Sequence, residues 1–222
     1  MAVLVAIVLA IWTVAIPGLI QWRVEAALSQ TLPAESIKVG VRGRPDALLA
    51  GHMSWFTVDV RRAMVDRLPV EVLSAELSHV ELDNPGVLHG GPLNVRRIGA
   101  GHASLVLTEE GLRRYLEQAQ GLRNARVQLA GGLLTLEGTV PLLLHEFRAT
   151  MQGRFAILEG RSVVLHVDRL TVSGIALSPE IANILVMPLN PLLRVDQLPI
   201  PLRLLQVAIE DGRLTLTAEP SS

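Results

Sequence analysis

The sequence predicts an α+β fold: a long, strongly curved antiparallel sheet wrapped against one or two helices and preceded by an N-terminal transmembrane helix. Three observations lead there. Met1 to Ile20 contain no charged side chain. Apolar and polar residues then alternate through most of the chain, the period of a strand with one buried face. Two segments, opening at Thr108 and Ser178, instead carry apolar residues at helical spacing.

As a helix rising about 1.5 Å per residue, Met1 to Ile20 would cover roughly 30 Å, the thickness of a bilayer core. Trp12 lies inside the segment, and Trp22, followed by Arg23, suits the interface. A cleaved signal peptide, with Val24-Glu25-Ala26 as its passable site, would need a basic start and an apolar run of about 7 to 15 residues. A retained single-pass anchor is therefore expected, because a buried helix of a soluble core would show a polar face. No Lys or Arg precedes the segment while Arg23 and Lys38 follow it, so charge alone would leave the domain in the cytoplasm. The expected plan is an anchor over residues 1–21, one domain over 22–218 and a tail over 219–222.

After the anchor, Val24, Leu28 and Leu32 recur every fourth residue, which predicts a helical extension from Trp22 that stops before Pro33. Strands are predicted around Phe56, Val58 and Val60, then over Val70–Leu82, Gly101–Leu107, Arg126–Leu129, Leu134–Val140, Phe147–Ile157, Val163–Val172, Leu205–Ile209 and Leu214–Thr217. Several exceed the usual strand of about 5 to 6 residues. Their alternation slips phase, as between Leu77 and Val80, which implies bulges that bend the sheet. Gly138 and Gly153 inside the pattern serve the same end. Gly131-Gly132 and Asp211-Gly212 sit between apolar runs as hairpin turns, and both begin a Gly-x-Leu-Thr-Leu echo.

The first internal helix has Thr108 as N-cap, Glu109 and Glu110 at the positive end of its dipole, and an apolar stripe of Leu112, Tyr115, Leu116 and Ala119 closed by Gly121. The second starts at Ser178-Pro179 and stops before Pro188. Ile181, Ile184, Leu185, Val186 and Met187 surround it so fully that only Asn183 breaks the apolar surface, which predicts deep burial or contact with lipid.

Composition removes several function classes. A net charge of −1 gives no field for nucleic acid, and 3% aromatic content gives no surface for stacking bases. With no cysteine, disulfides, thiolate zinc sites and cysteine nucleophiles are excluded. There is no Gly-x-Ser-x-Gly elbow and no phosphate-cradling glycine loop. His145-Glu146 begins like a zinc-protease motif, but Ala149 stands where the second histidine belongs. The six histidines have no ligand spacing, and no cofactor or metal is expected.

Four local patterns then align in order: Gly43-Arg44-Pro45-Asp46-Ala47-Leu48-Leu49-Ala50-Gly51 before a strand, Leu107-Thr108-Glu109-Glu110-Gly111-Leu112 opening a helix, Leu198-Pro199, and Glu210-Asp211-Gly212-Arg213-Leu214-Thr215-Leu216 near the end. Together, over roughly Trp22 to Ala218, they resemble the LmeA-type phospholipid-binding family, which is similar to the tubular lipid-binding (TULIP-like) superfamily. The resemblance implies a curved sheet around a helix, an apolar groove for acyl chains, and a place in the bacterial cell envelope with the domain outside the cytoplasm. No lipobox cysteine is present, so lipoprotein processing does not apply.

On that footing the expected partners are a membrane phospholipid and, through the N-terminal helix, the membrane itself. Candidate groove-wall residues are Leu142, Leu143, Leu144, Phe147, Phe155, Ile181, Ile184, Leu185 and Met187; ordinary core is the competing role for each. Arg96 and Arg97 are candidate headgroup contacts, with a solvated turn as the competing role. The sequence favours a non-catalytic lipid-binding or lipid-transfer protein. The alternatives are a structural or interaction domain with a closed core, and a lipid-processing enzyme with a polar cluster at the groove mouth.

Overall fold

The computed structural model describes residues 17–221, apart from residues 31, 66, 83–94, 121, 143–144 and 198–199. Side chains at residues 119–120, 141–142, 145 and 197 also fall outside the description. Hairpins join most of the strands. β1 (Ala34–Arg42), β2 (His52–Val65), β3 (Leu68–Leu82) and β4 (Val95–Thr108) form an antiparallel meander, with β12 (Arg213–Pro220) beside β4 and β11 (Leu202–Glu210) at the far edge. A second antiparallel sheet contains β5 (Arg123–Ala130), β6 (Leu133–Leu142), β7 (His145–Leu158) and β8 (Ser162–Val172). The short strands β9 (Ile175–Leu177) and β10 (Leu193–Arg194) both pair with β8.

Instead of the one continuous sheet expected, the ladder is divided into two. The helix α3 (Glu109–Gln120) explains the division, because a hairpin turn would hold β5 against β4, whereas a three-turn helix carries the chain away. The sheets are then tied again where the Leu204 amide of β11 donates to the Gly160 carbonyl in the turn between β7 and β8 at 2.7 Å, and at the start of α3. The Glu109 carboxylate accepts the Leu129 amide at 2.8 Å, and Gly212 donates its amide to the Leu129 carbonyl at 3.2 Å. Leu-Thr-Glu-Glu-Gly-Leu and Glu-Asp-Gly-Arg therefore meet in space, and Thr108 caps α3 by accepting the Gly111 amide at 3.1 Å. Removing the clamp with Glu109→Ala is expected to cost about 2 kcal/mol in urea unfolding, and Glu109→Gln, which keeps an acceptor, distinctly less.

The predicted turns take the geometry their residues allow. Gly131 and Gly132 have φ of 57° and 77°, and Asp211 and Gly212 have 49° and 74°, so each pair forms a two-residue turn with both φ positive. The predicted phase slip is also present. His79 has φ of 51°, and Leu77 and Val80 on either side of it both point into the core. Ser54, His79 and Gly99 lie level across β2, β3 and β4 without any register change, so the slip involves no bulge there. A second such line runs through Arg62, with φ of 49°, which pairs with Glu35.

Helix α1 covers residues 17–30, so it contains the predicted extension and the last residues of the predicted anchor. Ile20, Val24 and Leu28 are buried at four-residue spacing, and the Glu25 carboxylate accepts the Val39 amide at 3.0 Å, fixing α1 against β1. Residues 1–16, most of the predicted span, lie outside the described residues. Among the described residues no helix is long and apolar enough to cross a membrane. At the other end β12 runs to Pro220, and Glu219 pairs with Arg203 at 2.7 Å.

Besides the short strands β9 and β10, β1 and α2 (Pro45–Leu49), a single helical turn started by Pro45, have no counterpart in the sequence reading. This turn accounts for the first shared motif, since Leu48 is buried in the core and the Gly51 amide closes back on its carbonyl at 3.0 Å.

Candidate functional site

The two sheets treat their inner faces differently. α1 fills that of the first, where Leu28 and Leu32 pack towards Val58, Ala75, Leu105 and Leu216 around a residual void of about 50 Å³. That core leaves little free space. The second sheet keeps an open groove of about 410 Å³, within the roughly 300–1,000 Å³ typical of small-molecule sites.

Each wall of the groove follows from a sequence pattern. Leu136, Gly138 and Val140 alternate on β6, Phe147, Ala149 and Met151 on β7, and Leu170 and Val172 on β8. The intervening residues, among them Thr135, Glu137, Arg148, Gln152 and Arg154, belong to the opposite, polar face. Leu116 closes one side from the apolar stripe of α3, with Leu122 after it. α4 (Pro179–Leu185) and the 3-10 turn Met187–Leu189 close the other through Leu185, Val186 and Leu189. Among the described residues every lining side chain is apolar. A Cβ at Gly138 would lie 2.8 Å from the Leu122 side chain, so a larger residue there would push Leu122 aside.

Two asparagines hold the α4 wall in place. Asn190 accepts the Leu165 amide at 2.8 Å and donates to the Leu165 carbonyl at 2.9 Å. Asn183 accepts the Val167 amide at 3.3 Å and donates to the Pro179 carbonyl at 2.8 Å. Between its short contacts with β9 and β10, the edge of β8 is thus paired by side-chain amides in place of a neighbouring strand. The polar break that Asn183 makes in α4 is this pin.

The charged groups lie away from the groove lining. On α3, Arg113 bonds Glu110 and Glu117, both at 2.7 Å, and Arg114 bonds Glu110 at 3.0 Å. The Arg113 guanidinium, with Arg114, holds the Glu110 carboxyl at about 2. On the outer face of the second sheet, Arg154 bonds Asp168 at 2.9 Å and holds its carboxyl below the ordinary value. No group of three or more His, Asp or Glu side chains that could hold a metal ion occurs among the described residues.

Of the predicted wall residues, Phe147 and Leu185 line the groove. Ile181, Ile184 and Met187 share the α4 segment but stand exposed beside it. Phe155 is half-buried against the core farther along β7, beyond the register shift at Gln152/Gly153, and is not part of the lining. The Leu142 side chain and the whole of Leu143 and Leu144 lie outside the described residues. Arg96 and Arg97 are exposed at the start of β4, in the other sheet from the groove. The sequence reading missed the other lining residues, among them Ala149, Met151 and Leu116, although Ala149 and Met151 share the alternating face of Phe147 and Leu116 lies on the predicted helical stripe.

No curated protein and no solved structure matches the chain. A family model described as LmeA-like phospholipid-binding matches residues 14–219, nearly the whole length and every element of both sheets. The chain belongs to the LmeA-like phospholipid-binding family.

Proposed function

We propose that this protein binds phospholipid by holding acyl chain in the groove between α3, α4 and the second sheet, and that it does so as a non-catalytic holder or carrier in the bacterial cell envelope. The observation that carries the reading is a groove of about 410 Å³ with no polar side chain in its lining among the described residues, in a chain of a phospholipid-binding family. Burying about fifteen methylenes at roughly 0.8 kcal/mol each supplies on the order of 12 kcal/mol before ordering costs, so a lipid can be held without a reaction. Phe147 and Leu185 would contact the chain directly.

The apolar segment of residues 1–20 would anchor the domain beside its source membrane, and the extracytoplasmic side rests on the family alone. Incubation of the full-length protein with vesicles of labelled phospholipid, followed by separation, tests the reading. Uptake approaching one lipid per protein is expected. Protein that never acquires label would leave a structural domain as the better account.

A further inference from the structure

We propose that α4 with its flanking turns is a membrane-docking element that seats the groove mouth on a phospholipid bilayer. The inference rests on the lipid-binding reading and adds the surface by which lipid arrives. From Leu170 to Leu193 the only charged side chain is Glu180, at the start of α4. Such a segment should be buried, yet much of it is not. Ala182, Val186 and Leu189 face the sheet, while Ile175 is 68% exposed, Ile184 62%, and Ile181, Leu185 and Met187 about half or more. Asn183 is exposed among them, with its amide engaged by Val167 and Pro179.

The occupant follows from continuity. Leu185 is 56% exposed and lines the groove as well, so patch and groove are one apolar surface. A protein partner seated there would close the mouth, whereas a bilayer surface would let an acyl chain pass from membrane to groove without crossing water. The chain also carries sixteen consecutive uncharged residues immediately ahead of α1, which as the proposed anchor would keep it near a bilayer. Side chains such as Ile and Leu on a short rigid element insert to the depth of the headgroup and acyl boundary.

Because the chain has no cysteine, a single Ile184→Cys or Leu205→Cys change in the full-length protein can carry an environment-sensitive fluorophore at one site. Leu205 is the control, exposed on β11 away from the patch. In vesicles of phosphatidylglycerol and phosphatidylcholine, the label at 184 should shift to the blue and be quenched about fivefold or more by nitroxide-labelled lipid, and the label at 205 should not. A label at 184 that stays in water overturns the proposal, even where lipid uptake shows the groove to be filled. A blue shift that needs no vesicles and grows with protein concentration also overturns it, because a second copy then covers the patch. The double change Ile181→Ser with Ile184→Ser should slow labelled-lipid uptake about tenfold while leaving the final stoichiometry unchanged; an unaltered rate counts against docking.

Discussion

Ala149→Trp should yield a folded protein that no longer retains lipid. Ala149 lies on the groove floor between Phe147 and Met151, and its strand neighbours are Gly138 and Val172. An indole at that point occupies space that no side chain fills and displaces the chain that would lie there. Displacing only about two or three methylenes costs roughly 2 kcal/mol, or about thirtyfold in affinity. The first sheet, with its own filled core under α1, is unaffected, so circular dichroism and the urea midpoint should stay near the parent values. Unchanged lipid binding in a folded variant would place the ligand elsewhere.

Asn190→Ala should act on both stability and exchange. Both of its hydrogen bonds go to one residue, Leu165, and its loss leaves an amide and a carbonyl of the β8 edge unpaired together. A cost of about 2 to 3 kcal/mol is expected in urea unfolding, because unmade bonds to part-buried groups are expensive. Since Asn190 follows the Met187–Leu189 turn that forms one groove wall, labelled lipid should also leave the variant faster. Asn190→Asp discriminates the cause: it keeps the acceptor for the Leu165 amide but sets a carboxylate against the Leu165 carbonyl, so it should be nearly as damaging.

The parts of the fold legible in the sequence are those governed by local periodicity. The long strands, the two-residue turns at Gly131-Gly132 and Asp211-Gly212, and the slip at His79 each follow from side chains within a few residues of one another. Thr108 and the acidic first turn of α3 are equally local signals. What escaped is set by partners distant in sequence. The break into two sheets depends on where α3 delivers β5, and the clamp between Glu109 and Leu129 spans twenty residues. β1 carries a short alternation of Ile37, Val39 and Val41 that the sequence reading passed over, and it is held partly by Glu25 of α1.

The candidate site divides the same way. Phe147 and Leu185 carry obvious bulk, and the sequence marks them. Ala149 and Gly138 matter by being small, so the groove they create becomes visible only when β6, β7 and β8 are in register. Phe155 shows the converse: the same run of alternation reaches it, but the register shift at Gln152/Gly153 intervenes. The apolar surround of α4 implied burial or lipid, and the structure divides it between an inner face on the sheet and an outer face left exposed.

The measurement nearest the central claim is mass spectrometry of an organic extract of the purified full-length protein, alongside the Ala149→Trp variant. The account predicts phospholipid near stoichiometric amounts in the parent protein and its loss from the variant. Parent protein that is repeatedly lipid-free and takes up none from vesicles would contradict it.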